Sequence, residues 1–362
     1  MRKVVLGDVV KINPATKVTK GQLVKFISMD KLDPFTKTPN GYEKKKFSSG
    51  TKFTNGDTLL ARITPCLENG KTAFVDFLDD LEVAAGSTEF VILRNIEGLT
   101  DPAYIYYLSI SPAFRDYAIK SMVGTSGRQR VQNDVLAKME LSLPPLDQQK
   151  KIANILGSLD EKIELNRRMN ETLEQLGQTL FRHYFIDNPE AKDWENIYLG
   201  DIVAITTGKG STKANLSEYG KYPLYGANGI MGRSQSYLLN EKVIVTGRVG
   251  TLGVVRAVVD KAWFSDNVII MKPDPSIFGY VFYVVCGIDY ASLNRGSTQP
   301  LITQTDLKKQ RVKLPPLSTL QRFENSYAVI FNQIQANKRQ ISTLVAIRDS
   351  LLPKLISGEI EI

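Results

Sequence analysis

LPPLDQQKKIANILGSLDEKIELNRRMNETLEQLGQTLFRHYF, from Leu143 to Phe185, decides the fold, because mostly apolar residues return through it in alternating steps of four and three. The series is Ile152, Leu156, Leu159, Ile163, Asn166, Asn170, Leu173, Gly177, Leu180 and Tyr184. A second LPPL opens at Leu314, 171 residues on, and the same offset gives Phe323, Tyr327, Ile330, Ile334, Asn337, Ile341, Leu344, Arg348, Leu351 and Leu355. Matched 3-4 spacing specifies two helices of roughly 30 residues or more, about 50 Å each, whose seams pair as a coiled coil. Asn166 and Asn337 share one seam position, where a polar side chain costs stability but penalises a slipped register. A basic pair follows each, Arg167-Arg168 and Lys338-Arg339. Pro189 follows the first helix, Pro353 is expected to bend or stop the second near its end, and Gly358 is a candidate terminator.

Outward from the helices, LGDVVKIN at Leu6 to Asn13 returns as LGDIVAIT at Leu199 to Thr206, 193 residues later. The unequal offsets mean that two copies share their edges and differ in length inside. GTSGRQRVQNDV from Gly124 parallels GSTQPLITQTDL from Gly296, with Gln at the ninth and Asp at the eleventh position of each. The plan is a globular domain over 1–146, a long helix over 147–187, a second globular domain over 188–317 and a second long helix over 318–362. The globular parts read as β-rich, with short β-branched runs broken by Asn-Gly, Gly-x-x-Gly and Pro signals. A helix is expected from Pro102 to Met122, so the fold class is α+β.

The chain has 362 residues, 43% of them apolar and 23% charged, which suits two or three soluble folded units. No run approaches the roughly 18 apolar residues of a membrane span, and the N-terminus lacks the pattern of a secretory signal, so a cytoplasmic protein with no membrane partner is expected. Cys66 and Cys286 are spaced for neither a disulfide framework nor a zinc site and are expected to be buried small hydrophobes. A net charge of +8 invites a polyanion. The single histidine, His183, closes a helical pattern and leaves little for acid-base or imidazole-metal chemistry. GKGST at Gly208 has the wrong spacing for a phosphate loop, no cofactor loop or Asn/Asp-Pro-Pro-aromatic motif of an amine methyltransferase occurs, and Glu43-Lys44-Lys45 reads as a solvated basic turn. No catalytic residue and no metal site is assigned.

Taken together, the duplicated LPPL helices, KYPLYGANGIMG from Lys221 and GRVGTLG from Gly247 resemble the DNA specificity subunit of a type I restriction-modification system over essentially the whole chain. The resemblance implies two target-recognition domains, each reading one half of an asymmetric bipartite gapped site, separated by two antiparallel long helices that set the spacing. It implies double-stranded DNA as partner and two modification subunits docked on the helices. Those subunits would bring S-adenosylmethionine for adenine-N6 methylation, while restriction subunits would add ATP- and Mg-dependent translocation and cleavage. The chain itself would bind no cofactor and catalyse nothing.

Loop residues are the candidates for DNA contact. In the second domain these are Lys209 and Lys213 in a Gly-rich loop, Tyr225, Asn228 and Gly229 in YGANG, Arg248 in TGRVGT and Gln299 in GSTQP. Asn and Gln can pair with adenine, Arg with guanine or a phosphate, and Gly allows close approach. In the first domain they are Lys17, Lys20, Arg62, Asn69, Lys71, Arg128 and Arg130. The first domain lacks YGANG, so no correspondence between the interiors is legible. Two other readings stand beside this one: a stand-alone DNA-modifying enzyme, and a coiled-coil scaffold that binds only protein.

Overall fold

A computed structural model describes residues 1–210 and 219–362. The chain divides into two compact units, one of residues 1–167 and 338–362 and one of residues 168–337.

The first unit begins with β1 (Arg2–Val5), a short helix α1 (Leu6–Val9) and β2 (Val10–Ile12), then β3 (Leu23–Ile27), β4 (Glu43–Lys46), β5 (Thr51–Phe53), β6 (Thr58–Ala61), β7 (Thr72–Phe74), β8 (Ala84–Gly86) and β9 (Phe90–Asn95). Helices α2 (Pro102–Ile110) and α3 (Pro112–Lys120) follow, then β10 (Met122–Val123), β11 (Arg130–Val131), α4 (Asn133–Ala137), β12 (Glu140–Leu143) and α5 (Leu146–Phe181). Strands order as β2-β9-β6-β7 in one sheet and β4-β3-β8-β5 in another, and β1 pairs antiparallel with β12. The expected single helix over 102–122 is two. Ser111 turns extended, its hydroxyl accepts from Phe114 N, and Pro112, which has no N–H to lose at a first turn, starts the second helix. Lys44, Lys45 and Lys46 form no turn either: they are the exposed edge strand β4, paired with β3.

The second unit repeats the arrangement with β13 (Glu195–Tyr198), α6 (Leu199–Ile202), β14 (Val203–Thr207), β15 (Tyr222–Gly226), β16 (Gly229–Ser234), β17 (Val243–Gly247), β18 (Arg256–Val258), β19 (Trp263–Phe264), β20 (Val268–Pro273), α7 (Phe278–Cys286), α8 (Gln304–Lys308), β21 (Arg311–Leu314) and α9 (Leu317–Ser357). Its four-stranded order β14-β20-β17-β18 matches β2-β9-β6-β7, and its three-stranded sheet β16-β15-β19 matches β4-β3-β8, including the parallel pairs β15-β19 and β3-β8, with no described counterpart of β5. Val131 N donates to Arg62 O at 2.9 Å and Ile302 N to Arg248 O at 3.0 Å. The two donors, Val131 and Ile302, lie 171 residues apart, as do the starts of α4 and α8. The parallel drawn from the Gln and Asp positions is therefore displaced by one residue, because two loops of different composition lead into it.

All twenty seam residues are buried or half-buried. In the first unit Asn166 lies opposite Gln340 and Asp160 opposite Arg348, so the segments run antiparallel. In the second, Asn170 faces Asn337 and Tyr184 packs on Phe323, again antiparallel. Ile152, Leu156, Leu352 and Leu355 join the first unit's core, and Phe323, Tyr327 and Phe331 the second's. Each such aliphatic or aromatic side chain contributes about 1.5–3 kcal/mol by leaving water. The matched asparagines Asn166 and Asn337 are buried, as is Asn170, with Asn166 donating to Gln340 at 2.9 Å and Asn337 to Asn170 at 2.9 Å. Pro353 does not stop α9, which runs one further turn to Ser357 and ends where Gly358 adopts φ +78°. His183 is exposed in one π-helical turn, Arg182–Ile186. The cysteines are less buried than expected, Cys66 half-buried and Cys286 exposed at the end of α7. Among the described residues no helix is long and apolar enough to cross a membrane, and no cluster of His, Cys, Asp and Glu could hold a metal ion.

Candidate nucleic-acid interface

Two loop clusters, one per unit, are built by the same backbone bonds. In the first, Arg62 follows β6, its N–H donates to Glu89 O at 2.9 Å, and Thr64 N donates to Gln129 O at 3.0 Å. Those bonds bring Arg62 and the Thr64–Gly70 turn, which carries exposed Asn69, to the Gly124–Arg130 loop with exposed Arg128. Arg130 is not free: its Nε and Nη2 grip the Glu89 carboxylate at 2.9 and 2.7 Å. The Arg130 bond, with Arg62 adding charge, holds the Glu89 carboxyl below its usual range against the opposing cost of burial. Lys71 spends its ammonium on Met29 O at 2.9 Å, and Lys17 and Lys20 stand exposed on the separate β2-β3 loop.

In the second unit Arg248 follows β17, its N–H donates to Asn267 O at 2.8 Å, and Gly250 N donates to Pro300 O at 2.9 Å. Exposed Gln299 is drawn in: a Cβ on Gly250 would stand 3.5 Å from Gln299 Nε2. The β15-β16 hairpin reaches the same place, since a Cβ on Gly247 would lie 2.8 Å from Ala227 O, the residue before exposed Asn228. Gly229, at φ +121°, completes the hairpin, and a Cβ there would stand 3.2 Å from the guanidinium carbon of Arg256. Arg256 comes from β18, and no local sequence signal marks it; only the fold puts an arginine beside Asn228. Exposed Lys209 joins through its N–H to Phe264 O at 2.9 Å. Tyr225 turns away from the loop. Its ring stacks on Phe264 at 5.4 Å against the core, and burial pushes its hydroxyl pKa up. Lys213 lies outside the described residues.

The chemistry assembled in each cluster is that of groove and backbone recognition: guanidinium and amide side chains on loops whose glycines let another surface approach. Comparison with known proteins places the chain in a family. The family model described as type I restriction modification DNA specificity domain matches residues 1–175 and 191–341. The chain belongs to that family. Among relatives of the specificity family, the type I restriction enzyme MjaIX specificity subunit of Methanocaldococcus jannaschii is 27% identical over 301 residues, 72% of this chain and 69% of that one. The HindI specificity subunit of Haemophilus influenzae is 35% identical over 133 residues, 36% of this chain, which spans only 28% of that relative's length. In structure, the S subunit of a type I restriction-modification system from M. genitalium superposes with a TM-score of 0.58 at 18% identity, covering 98% of this chain and 96% of that one. That likeness bears out the α+β fold of β-rich domains with long helices.

Proposed function

We propose that the chain is the non-catalytic, sequence-specific DNA-binding subunit of a type I restriction-modification complex, each recognition unit reading one half of an asymmetric, gapped site. The observation that carries this is the duplicated loop cluster: Arg62 and Arg248 are held by equivalent backbone bonds, yet their neighbours differ, Glu89 and Arg130 against Asn267 and Gln299. Equal scaffolds with unequal side chains suit two different half-sequences. The long helices set the distance between half-sites, which recur on one face of DNA about every 34 Å. They also dock two modification subunits, which bring S-adenosylmethionine, while restriction subunits bring ATP and Mg, all in the cytoplasm.

Single-molecule sequencing of DNA from cells making this chain with its cognate modification subunit tests the reading. A gapped asymmetric methyl-adenine motif that vanishes with the chain is expected. An active complex with no chain-dependent motif would overturn it and favour a protein-only scaffold.

A further inference from the structure

Glu89 and Asn267 hold the same station in the two units. Each carbonyl accepts from the arginine after the equivalent strand, at 2.9 Å from Arg62 N and 2.8 Å from Arg248 N. Each N–H in turn approaches the hydroxyl of the serine two residues earlier, Ser87 at 3.2 Å and Ser265 at 3.3 Å. What differs is charge. In the first unit a carboxylate grips one guanidinium, that of Arg130, and feels the charge of a second, that of Arg62. In the second the same place carries a neutral amide, and Arg248 has no ion-pair partner among the described residues.

The grip on Arg130 is directional. Glu89 takes Nε and Nη2, leaving Nη1 with a contact of 3.4 Å to Arg128 O. The Arg130 side chain is 41% exposed and that of Glu89 25%, so the pair stands at the surface rather than in the core. A surface pair of this kind adds little to stability, so its geometry calls for another role. The Nε of Arg62, by contrast, is buried and meets no hydrogen-bond partner.

We propose that Glu89 is a positioning residue for DNA reading. It fixes the plane of Arg130 so that the Nη1 edge faces an acceptor-rich base edge such as guanine O6 and N7, and its negative charge keeps phosphates away from Arg130 and Arg62. This inference rests on the DNA-reading assignment above. Its consequence has two parts: removing Glu89 adds affinity for DNA in general, as charge alone requires, and removes discrimination, which charge alone does not.

The test uses the full chain assembled with its modification subunit, comparing the parent with Glu89→Gln and with Glu89→Asn, which copies the second unit. Binding is measured to the methylated-motif duplex and to a random duplex across a salt series, and each complex's motif is sequenced. For the variants, affinity for random duplex rises at low salt. The log-log salt slope steepens by about 0.9 per phosphate newly engaged, so a fourfold rise in salt costs them about 3.5-fold more affinity than the parent for each such phosphate. One half of the motif relaxes at a single position and the other half stays intact. Unchanged motif and slope in a folded variant would overturn the role, as would equal loss of affinity for both duplexes, the signature of mere structural damage. A parent complex that does not distinguish the motif duplex from random duplex would instead sink the DNA-reading assignment and this inference with it.

Discussion

The helix pair of the first unit closes around charge, and that of the second around rings. Asp160 and Arg348, 5% and 3% exposed, pair at 2.7 Å, with Tyr107 donating to the other Asp160 oxygen at 2.8 Å. Arg348 also donates to Phe35 O at 3.2 Å. The residue 171 places after Asp160 is Phe331, and the one 171 places before Arg348 is Gly177, where a Cβ would collide with the Tyr283 hydroxyl. There the seam is filled by Phe278, Tyr283, Phe323, Tyr327 and Phe331, and Lys242 places its ammonium 3.8 Å from the centre of Phe278 and 3.9 Å from that of Phe331. Burial lowers the pKa of that lysine, and Glu324 nearby partly opposes the shift. An apolar periodicity thus decides where two helices touch and leaves open which chemistry fills the contact. A buried ion pair penalises displacement of either helix, whereas packed rings gain stability from area and tolerate small shifts.

The largest expected effect breaks the charged side of this contrast. Arg348→Met leaves Asp160 buried beside a phenol with no cation, which should cost about 3–5 kcal/mol in denaturant unfolding, while adding Asp160→Leu to the same chain should recover most of it. A loss below about 1 kcal/mol would mean that water reaches Asp160 and that the pair behaves as a surface one.

A middling effect sharpens the asymmetry of the two seam asparagines. Asn337→Leu strands the buried Asn170 amide and should cost about 1–3 kcal/mol. Asn166→Leu releases Gln340, which is exposed and can turn to water, so the loss should stay within about 0.5 kcal/mol. Equal losses in thermal unfolding would show that the two sites are alike after all.

The smallest effect concerns pH. The Glu89 carboxyl is held low by Arg130, so its contribution is present above the unfolded carboxylate pKa and is lost as pH falls through the depressed folded value. Glu324 is shifted the other way: burial outweighs its bonds from Tyr280 N and Gly279 N at 2.8 and 3.1 Å. Its contribution is therefore complete below the unfolded pKa and lost as pH rises through the raised folded value. The stability difference between parent and Glu89→Gln should grow as pH rises through the carboxylate range, and that between parent and Glu324→Gln should shrink. Parallel trends would contradict the opposite environments of the two carboxylates.

The helices were the most legible part because a 3.5-residue repeat is a local, redundant signal carried by ten positions per copy. The Asp160–Arg348 pair was not, since its partners stand 188 residues apart and Asp160 lies off the apolar series. The equivalence of the domain interiors was hidden for a related reason. Strands pair across loops of unequal length, so Arg62 and Arg248 share backbone partners without sharing flanking sequence. At Tyr225 the loop motif gave no sign that the ring would be half-buried, stacked on the neighbouring Phe264. Arg256 and Glu89 had no signal at all, because each gains its place only when a second strand or loop arrives beside it.

The first unit is assembled from two stretches of chain, with residues 338–362 returning to it after the whole of the second unit. On a ribosome this reverses the usual order of completion. The second unit, one continuous stretch, can close as soon as residue 337 has emerged, whereas the unit begun first, its opening stretch finished at residue 167, waits through the whole of the second unit for Arg348, Leu352 and Leu355. At synthesis rates of about 5–20 residues per second, that is a delay on the order of ten seconds or more, during which Asp160, Ile152 and Leu156 lack their far-end partners. Premature termination late in the message would therefore injure the amino-terminal unit, and a chaperone that attends the nascent chain would find its client there.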